Sequence, residues 1–332
     1  MRGVATVTFI GTGASTPARG RWLPGILVGL RGEYILLDCG EGVQYRILSA
    51  GLRVNRLSAI LITHMHGDHV YGLPGLLESL NRWGRAEKLT LVGPVDLEQL
   101  LDALKLRERL AYEVELVRAR DCMRLQMGGY AIEAAAVEHG VEAYAYAIVE
   151  EPLPGTFDAE RAEELGVPQG PLRSKLLRGE PVLLPGGRIV YPSDVVGPSR
   201  RGLKVTYSGD TVPCPRLVEL ARGSDVLIHE ATFSLAQREG ARLSFHSTAA
   251  GAAEDARRAG VGLLLLTHFS SRYSEEGVEG LLREARGVFR RAYAARDMMR
   301  VKLTRLREDW LLASFELLQG SGGLATSSTG TP

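Results

Sequence analysis

Short apolar runs of strand length recur along this chain, and each ends abruptly in polar residues able to do chemistry. Six carry the pattern: "YILLDCGEG" (34–42), "AILITHMHGDH" (59–69), "AIEAAAVEH" (131–139), "LKVTYSGDT" (203–211), "DVLIHEATF" (225–233) and "GLLLLTHFS" (262–270). Continuous apolar runs of this length read as strands buried on both faces. Between them, "LPGLLESLNRW" (73–83) and "DLEQLLDALKLRERL" (96–110) space their apolar residues by three and four, as amphipathic helices do. "HSTAAGAAEDARRAG" (246–260) and "SEEGVEGLLREARGVFRRA" (274–292) add a Ser or Thr placed to cap a helix N-terminus. Strands alternating with helices predict a layered α/β sandwich. If the six strands share one edge, their polar ends converge there.

One stretch breaks the alternation. From Glu150 to about Ser199 the chain is rich in proline and glycine, and eight of the fifteen prolines fall between Pro152 and Pro198. A loop this long inside a domain is usually functional or disordered, and a protruding, flexible arm for a partner is the reading adopted. The organisation expected is one domain over 1–319 with the arm inserted at about 150–190. The tail 320–332, "GSGGLATSSTGTP", is expected to be disordered.

Composition narrows the class. The chain has 332 residues, enough for a sizeable core, and a net charge of +1, so any nucleic-acid contact must use a local patch rather than a global basic field. Cys39, Cys122 and Cys214 lie far apart, which argues against a disulfide scaffold. The N-terminus lacks the apolar core of a signal peptide and no apolar run is long enough to span a bilayer, so no membrane partner and a cytoplasmic location are expected.

The chemistry is concentrated in "THMHGDH", where His64, His66, Asp68 and His69 crowd one turn. Imidazole and carboxylate are natural zinc ligands. A loop after a strand can aim alternate side chains at one ion and the remaining pair at a second. His139, His229, His246 and His268 also lie at or beside strand ends, and Asp210 adds a carboxylate able to bridge two cations. Two zinc ions sharing a water yield hydroxide near neutral pH and clamp an in-line displacement at phosphorus. Asp68 is the candidate to take the proton from that water. His246, oriented by Glu230, is the candidate to protonate the departing alkoxide; for His229 and Glu230 a purely structural hydrogen-bond pair stands as the alternative. Asp38 is expected to orient a ligating histidine, and Cys39 to be a buried small side chain. "FIGTGASTPARGR" (9–21) has neither Walker lysine spacing nor a full dinucleotide fingerprint, so no nucleotide cofactor is expected, although Arg19 and Arg21 could meet a substrate phosphate.

Taken together, "FIGTGASTP", "THMHGDHVYGLPGLL", "EHGVEAYAY", the "GPL" of the arm, "YSGDT", "HEATF" followed by "HST", and "LTHFSSRY" resemble the metallo-β-lactamase superfamily and, more narrowly, the ribonuclease Z family of tRNA 3′-processing endonucleases. The resemblance runs over roughly 4–293. It implies a four-layer αββα sandwich and two zinc ions per subunit, one on His64, His66 and His139, the other on Asp68, His69 and His268, with Asp210 bridging. It also implies Asp68 as proton acceptor, His246 with Glu230 as proton donor, and Arg272 on the phosphate beside the scissile bond. In the family a homodimer acts, the arm of one subunit holding tRNA over the other's site. Arg173, Lys175, Arg178 and Arg188 are the arm's candidate phosphate contacts here. One departure is plain: bacterial members usually have Asn after the second Arg of the first loop, where this chain has Trp22.

The function expected is therefore zinc-dependent removal of the 3′ trailer from precursor tRNA. Two other readings compete, a hydrolase of a small ester, lactone or cyclic nucleotide, and a tRNA-binding protein with a vestigial site. The arm argues against the first of these and the complete ligand set against the second.

Overall fold

The computed structural model describes residues 4–318 except 19, 53, 308 and 309, so Arg19 and the tail 320–332 lie outside the described residues. Contacts divide the chain into two units, one comprising the flanks up to Val149 and from Leu203, the other Glu150–Gly202.

In chain order the strands are β1 Val4–Gly11, β2 Gly25–Leu30, β3 Glu33–Leu37, β4 Leu57–Leu61, β5 Leu89–Gly93, β6 Val114–Arg118, β7 Met123–Gln126, β8 Tyr130–Ala136, β9 Tyr144–Glu150, β10 Val182–Leu183, β11 Ile189–Val190, β12 Lys204–Tyr207, β13 Val226–Glu230, β14 Leu264–Thr267, β15 Ala292–Ala294, β16 Met299–Arg307 and β17 Trp310–Leu317. The larger unit holds two sheets, ordered β17-β16-β1-β2-β3-β4-β5-β6 and β15-β14-β13-β12-β9-β8-β7. All six apolar runs form strands. They divide between two sheets rather than sharing one edge, with β3 and β4 in the first and β8, β12, β13 and β14 in the second.

Alternation along the strands explains the layering. Ile35 and Leu37 of β3 point into an inner core shared with Tyr146, Val205 and Ile228 of the facing sheet. Leu36 points the other way, under Val43, Leu76 and Leu97 of the helices that cover the first sheet. Leu264 and Leu266 of β14 are covered in the same manner by Ala252, Ala256 and Leu281. Each fully buried leucine or isoleucine contributes about 1.5–3 kcal/mol, so strands apolar on both faces suit a four-layer αββα sandwich, the metallo-β-lactamase fold.

The predicted helices appear at Leu73–Arg82, Ala249–Ala259 and Glu275–Val288. The side chains of Thr248 and Ser274 cap the last two by accepting from Gly251 N and Gly277 N. The expected helix over 96–110 is broken into Asp96–Ala103 and Leu106–Arg109, because Lys105 turns left-handed (φ 50°).

The unit Glu150–Gly202 is less loop-like than its prolines suggest. It has helices at Ala159–Glu164 and Pro171–Leu177 and the β10–β11 hairpin. Ala162, Leu176, Val190 and Val195 form its own small core. Proline at the first helical position is tolerated, since that N–H has no partner within the helix; Pro171 opens a helix rather than breaking one.

Candidate metal centre and active site

Parallel pairing of β3 with β4, and of β12 with β13 and β14, puts their C-terminal ends on common edges. Asp38 follows β3, the histidine-rich turn follows β4, Asp210 follows β12, Glu230 ends β13 and His268 follows β14. Such edges are where open α/β sheets bind ligands. After Leu61 the chain stays extended to His66 and then makes one helical turn, Gly67–Val70. The extended part sends His64 and His66 to the same side, with ring centroids 4.6 Å apart. The turn swings Asp68 and His69 to a second position. A Cβ at Gly67 would lie 2.3 Å from the exposed Tyr71 ring, which would have to swing aside to admit one.

Five overlapping donor groups result among the described residues. Three are His64 with His69 and Asp210, His139 with Asp210 and His246, and Glu230 with His246 and His268; the other two are His64 with His66 and His139, and Asp68 with His69 and His268. His64 Nε2 lies 3.0 Å from His66 Nδ1, which lies 3.2 Å from His139 Nε2. In the second group His69 Nε2 is 3.2 Å from His268 Nε2, and Asp68 Oδ2 is 3.4 Å from each. Asp210 stands between the groups, its Oδ2 3.7 Å from His64 Nε2 and 3.4 Å from His69 Nε2. Its other oxygen, Oδ1, is buried without a hydrogen-bond donor. Zinc–ligand bonds of about 2.0–2.2 Å at tetrahedral angles separate neighbouring donors by roughly 3.4 Å. Ring nitrogens and carboxylate oxygens converging at these spacings, beside a buried Asp210 oxygen with no hydrogen-bond donor, suit divalent cations.

Surrounding groups fix the rings. Asp38, fully buried, accepts from His69 Nδ1 (2.7 Å), Tyr207 OH (2.9 Å), Thr63 N (2.8 Å) and Thr63 Oγ1 (3.0 Å). His69 therefore carries its hydrogen on Nδ1 and turns Nε2 to the centre, as a metal ligand does. His139 Nδ1 donates to the Phe245 carbonyl at 2.9 Å, with the same effect. Burial, then the charge of neighbouring imidazoles, pushes His64 well below the usual range, and burial lowers His139. Both are thereby kept in the neutral form that metal coordination requires. Burial also opposes charge on His69, but Asp210 and Asp38 outweigh it and raise its pKa well above the ordinary value, so a cation binding at Nε2 displaces a proton from it. Asp68 is held ionised despite its burial by His268 and His69, and Ser15 N–H donates to its Oδ2 at 2.7 Å.

Beside these groups, His246 Nδ1 lies 2.9 Å from Glu230 Oε1. Burial works against the imidazolium, but the Glu230 charge and hydrogen bond prevail and push His246 up to about 9. Glu230 is itself locked by Thr211 N (2.9 Å) and Thr232 Oγ1 (2.6 Å). Arg272 is exposed, with Nε on Ser270 Oγ (2.9 Å) and its guanidinium 4.6 Å from the centre of the Phe233 ring. Phe233 in turn neighbours His246, their centroids 6.0 Å apart.

Other residues resolve differently. His229 points to the opposite side of β13 from Glu230, toward Asp255 (Nε2 to Oδ2, 3.6 Å), and stays out of the cluster. Arg21 is buried and paired with Glu275 at 3.2 Å. Cys39 is fully buried, its thiol pushed up by burial and then by Asp38. In the inserted unit, Arg173 is turned inward onto the Val167 carbonyl (3.0 Å) and stacks over Phe157, whereas Lys175 is exposed and Arg178 is exposed beside Glu180. That unit carries seven basic and eight acidic residues; its 173–188 stretch is basic on balance, as is its Arg200–Arg201 end. Thr232 was not singled out in the sequence, although its Oγ1 touches Glu230 and also lies 2.9 Å from His268 Nδ1. Its position in "HEATF", two residues after Glu230, is the signal that could have flagged it.

Comparison with known proteins agrees with this picture. A family profile described as anti-Pycsar protein Apyc1 matches residues 5–142, the part that carries the histidine-rich turn. The chain is 39% identical over 299 residues to the ribonuclease Z of Methanosarcina acetivorans, covering 90% of this chain and 97% of that protein. It is 41% identical over 309 residues to the ribonuclease Z of Trichodesmium erythraeum, covering 91% and 96%. Among solved structures, the short form of human tRNase Z superposes with a TM-score of 0.62 at 24% identity, covering 89% of this chain and 98% of that one. The metallo-β-lactamase fold protein YhfI of Bacillus subtilis does so with a TM-score of 0.64 at 21% identity, covering 90% and 99%. On the strength of the sequence matches, which run almost end to end, this chain belongs to the ribonuclease Z family.

Proposed function

We infer that this protein is an endoribonuclease that removes the 3′ trailer from precursor tRNA by metal-dependent phosphodiester hydrolysis. The observation that carries the reading is the pairing of two metal-ligand groups with a buried Glu230–His246 dyad at the same strand ends, in a chain of this family. Two zinc ions per subunit are the assignment the donor chemistry favours. His64, His66 and His139 would hold one, Asp68, His69 and His268 the other, with Asp210 shared; bound there, they supply Lewis acidity toward the phosphate and a water acidified to near neutrality.

The chain's own residues then divide the proton traffic. Hydrolysis consumes one water, which must lose a proton as it attacks phosphorus, while the departing ribose oxygen must gain one. Asp68, kept ionised and fixed by the Ser15 N–H, is the acceptor. His246, kept protonated by Glu230, is the donor. Arg272 meets the phosphate next to the scissile bond with a guanidinium already oriented by Ser270 and Phe233. Lys175 and Arg178 provide salt-dependent, sequence-independent grip on tRNA, and Arg173 supports the inserted unit from within. A homodimer, in which the inserted unit of one subunit serves the site of the other, and a cytoplasmic location complete the reading. No helix among the described residues is long and apolar enough to cross a membrane.

The test is a 5′-labelled precursor tRNA with a 3′ trailer, incubated with the protein and with Asp68→Ala, the cut position being mapped. One cut near the base before the CCA position, absent in the variant, supports the reading. No cut while small phosphodiesters are still hydrolysed overturns it in favour of a small-substrate hydrolase.

A further inference from the structure

His229 and Asp255 form a polar pair buried on the far side of β13 from the metal-ligand groups. His229 is fully buried and Asp255 only 1% exposed, with His229 Nε2 3.6 Å from Asp255 Oδ2. His229 Nδ1 donates to the Glu230 carbonyl at 2.8 Å. Nε2 and both Asp255 oxygens have no hydrogen-bond partner among the described residues, although the Arg258 guanidinium approaches Asp255 Oδ1 from the surface, at 3.7 Å. Around them the layer is apolar, with Leu227 and Ala231 of β13 facing Ala252 and Ala256. A polar pair in such a layer adds little stability over apolar side chains that would fill the same space. What it does add is a directional contact.

That contact links the two elements that carry the Glu230–His246 dyad. His229 precedes Glu230 on β13, and Asp255 lies on the helix Ala249–Ala259, whose cap Thr248 follows His246 by two residues. Near the dyad these elements are joined by main chain alone: Ala249 N–H donates to the Phe233 carbonyl at 3.0 Å, and Phe233 N–H to the Ser247 carbonyl at 3.2 Å. A helix tied at one end can pivot. Its buried face, Ala249, Ala252, Ala253, Ala256 and Ala259, presents single methyl groups, which lack the ridges that lock longer side chains into a neighbour. Asp255 stands seven residues beyond Thr248, about 10 Å along the helix. Held there by His229, the helix has a second anchor and with it a fixed direction. The same imidazole also grips the main chain of Glu230.

We propose that His229 and Asp255 are positioning residues: their pairing fixes the helix Ala249–Ala259 along β13 and thereby keeps His246 against Glu230. This rests on the endoribonuclease reading above, in which His246 protonates the departing ribose oxygen. Neither residue touches the substrate. A loosened pair lets the donor drift, and only a reaction that needs the donor slows.

The experiment compares the unaltered protein with His229→Leu and with the double variant His229→Leu, Asp255→Leu on two substrates. One is a precursor tRNA, whose departing ribose oxygen must gain a proton. The other is bis(p-nitrophenyl) phosphate, whose leaving group departs as a stable phenolate without one. The double variant should melt higher than His229→Leu, which strands a buried carboxylate. On tRNA it should lose about tenfold or more in kcat with KM unchanged, the scale of a displaced catalytic group. On the phenyl ester it should lose less than about twofold. Adding Glu230→Gln to it should slow tRNA cleavage far less than Glu230→Gln slows the unaltered protein, because both changes release one donor. If the double variant does not fold, Asp255→Asn, which keeps the side-chain shape, should show the same split between substrates at about severalfold. Equal melting of the double variant and His229→Leu, a full tRNA rate in a folded variant, or equal losses on both substrates overturns the proposal. Failure of the unaltered protein to cut any precursor tRNA overturns the endoribonuclease reading on which it rests.

Discussion

Replacing Asp38 by Asn removes one charge and almost no volume, yet its cost can be worked out atom by atom. Oδ1 of Asp38 accepts from Thr63 N at 2.8 Å, and Oδ2 accepts from His69 Nδ1 at 2.7 Å and Tyr207 OH at 2.9 Å. A carboxylate accepts on both sides, whereas an amide accepts on one and donates on the other. If the amide oxygen stays with His69 and Tyr207, the NH₂ group faces the Thr63 N–H and leaves a buried donor unsatisfied. If the amide flips, its NH₂ faces His69 Nδ1, and the ring must move its hydrogen to Nε2, the atom that faces Asp68, Asp210 and His268. The first arrangement costs about 1–3 kcal/mol for the stranded donor, plus part of a charge-assisted bond, or roughly 2–4 kcal/mol in total. The second destroys one ligand outright. Denaturant unfolding of metal-free protein should therefore register about 2–4 kcal/mol of destabilisation. A zinc titration should show one of two sites weakened about 10–100-fold, the usual effect of removing a partner that orients a ligand. Unchanged unfolding and unchanged zinc affinity together would refute the assignment of Asp38 as the group that sets the His69 tautomer.

Three further outcomes follow from the same geometry. Chelation should abolish RNA cleavage and lower the melting temperature, and added zinc should restore both, because an ion bound only by the folded state stabilises it by mass action; calorimetry with and without chelator measures this. Glu230→Gln should lower kcat about 10²–10⁴-fold with little change in KM. His246 must be protonated to act and Glu230 is what raises its pKa, so the alkaline limb of residual activity should move to lower pH, which a pH–rate profile reads. Iodoacetamide should label the native protein at Cys122 alone, since Cys39 and Cys214 are buried; peptide mass spectrometry should find all three labelled only after denaturation.

Much of the candidate centre was legible because the side chains that converge there announce themselves by residue type and strand-end position. His64, His66, Asp68 and His69 are dense enough to be read unaided, and Asp210 and His268 close apolar runs. His229 closes a run equally well, yet β13 alternates, so only its neighbour Glu230 can face the site. Nothing in the composition of "LIHEATF" says which of the two points inward. Lys105 looks like a good helix residue but takes a left-handed conformation that ends one helix and starts another, a tertiary decision no local pattern records. Similarly, Arg173 counts as positive charge in the sequence and is consumed by a carbonyl and a ring in the fold. The helices Ala159–Glu164 and Pro171–Leu177 leave no mark in the sequence because they are only six and seven residues long, too short for a helical period to register.

The two donor groups differ in when a growing chain can complete them. His64, His66 and His139 all belong to the first 139 residues, whereas the second group closes only with His268. Chains emerge from the ribosome N-terminus first and fold in segments as they do so. Strands β1 to β6 and the earlier trio are all synthesised well over a hundred residues before β14, while β16 and β17, which complete the first sheet, come after it. If the two groups hold ions as proposed, biosynthesis orders their completion: all three donors of the His64 group are present on a half-made chain, while the Asp68 group must wait for His268 after β14. On the two-ion reading proposed above, phosphodiester cleavage is out of reach of the nascent chain until His268 has been made.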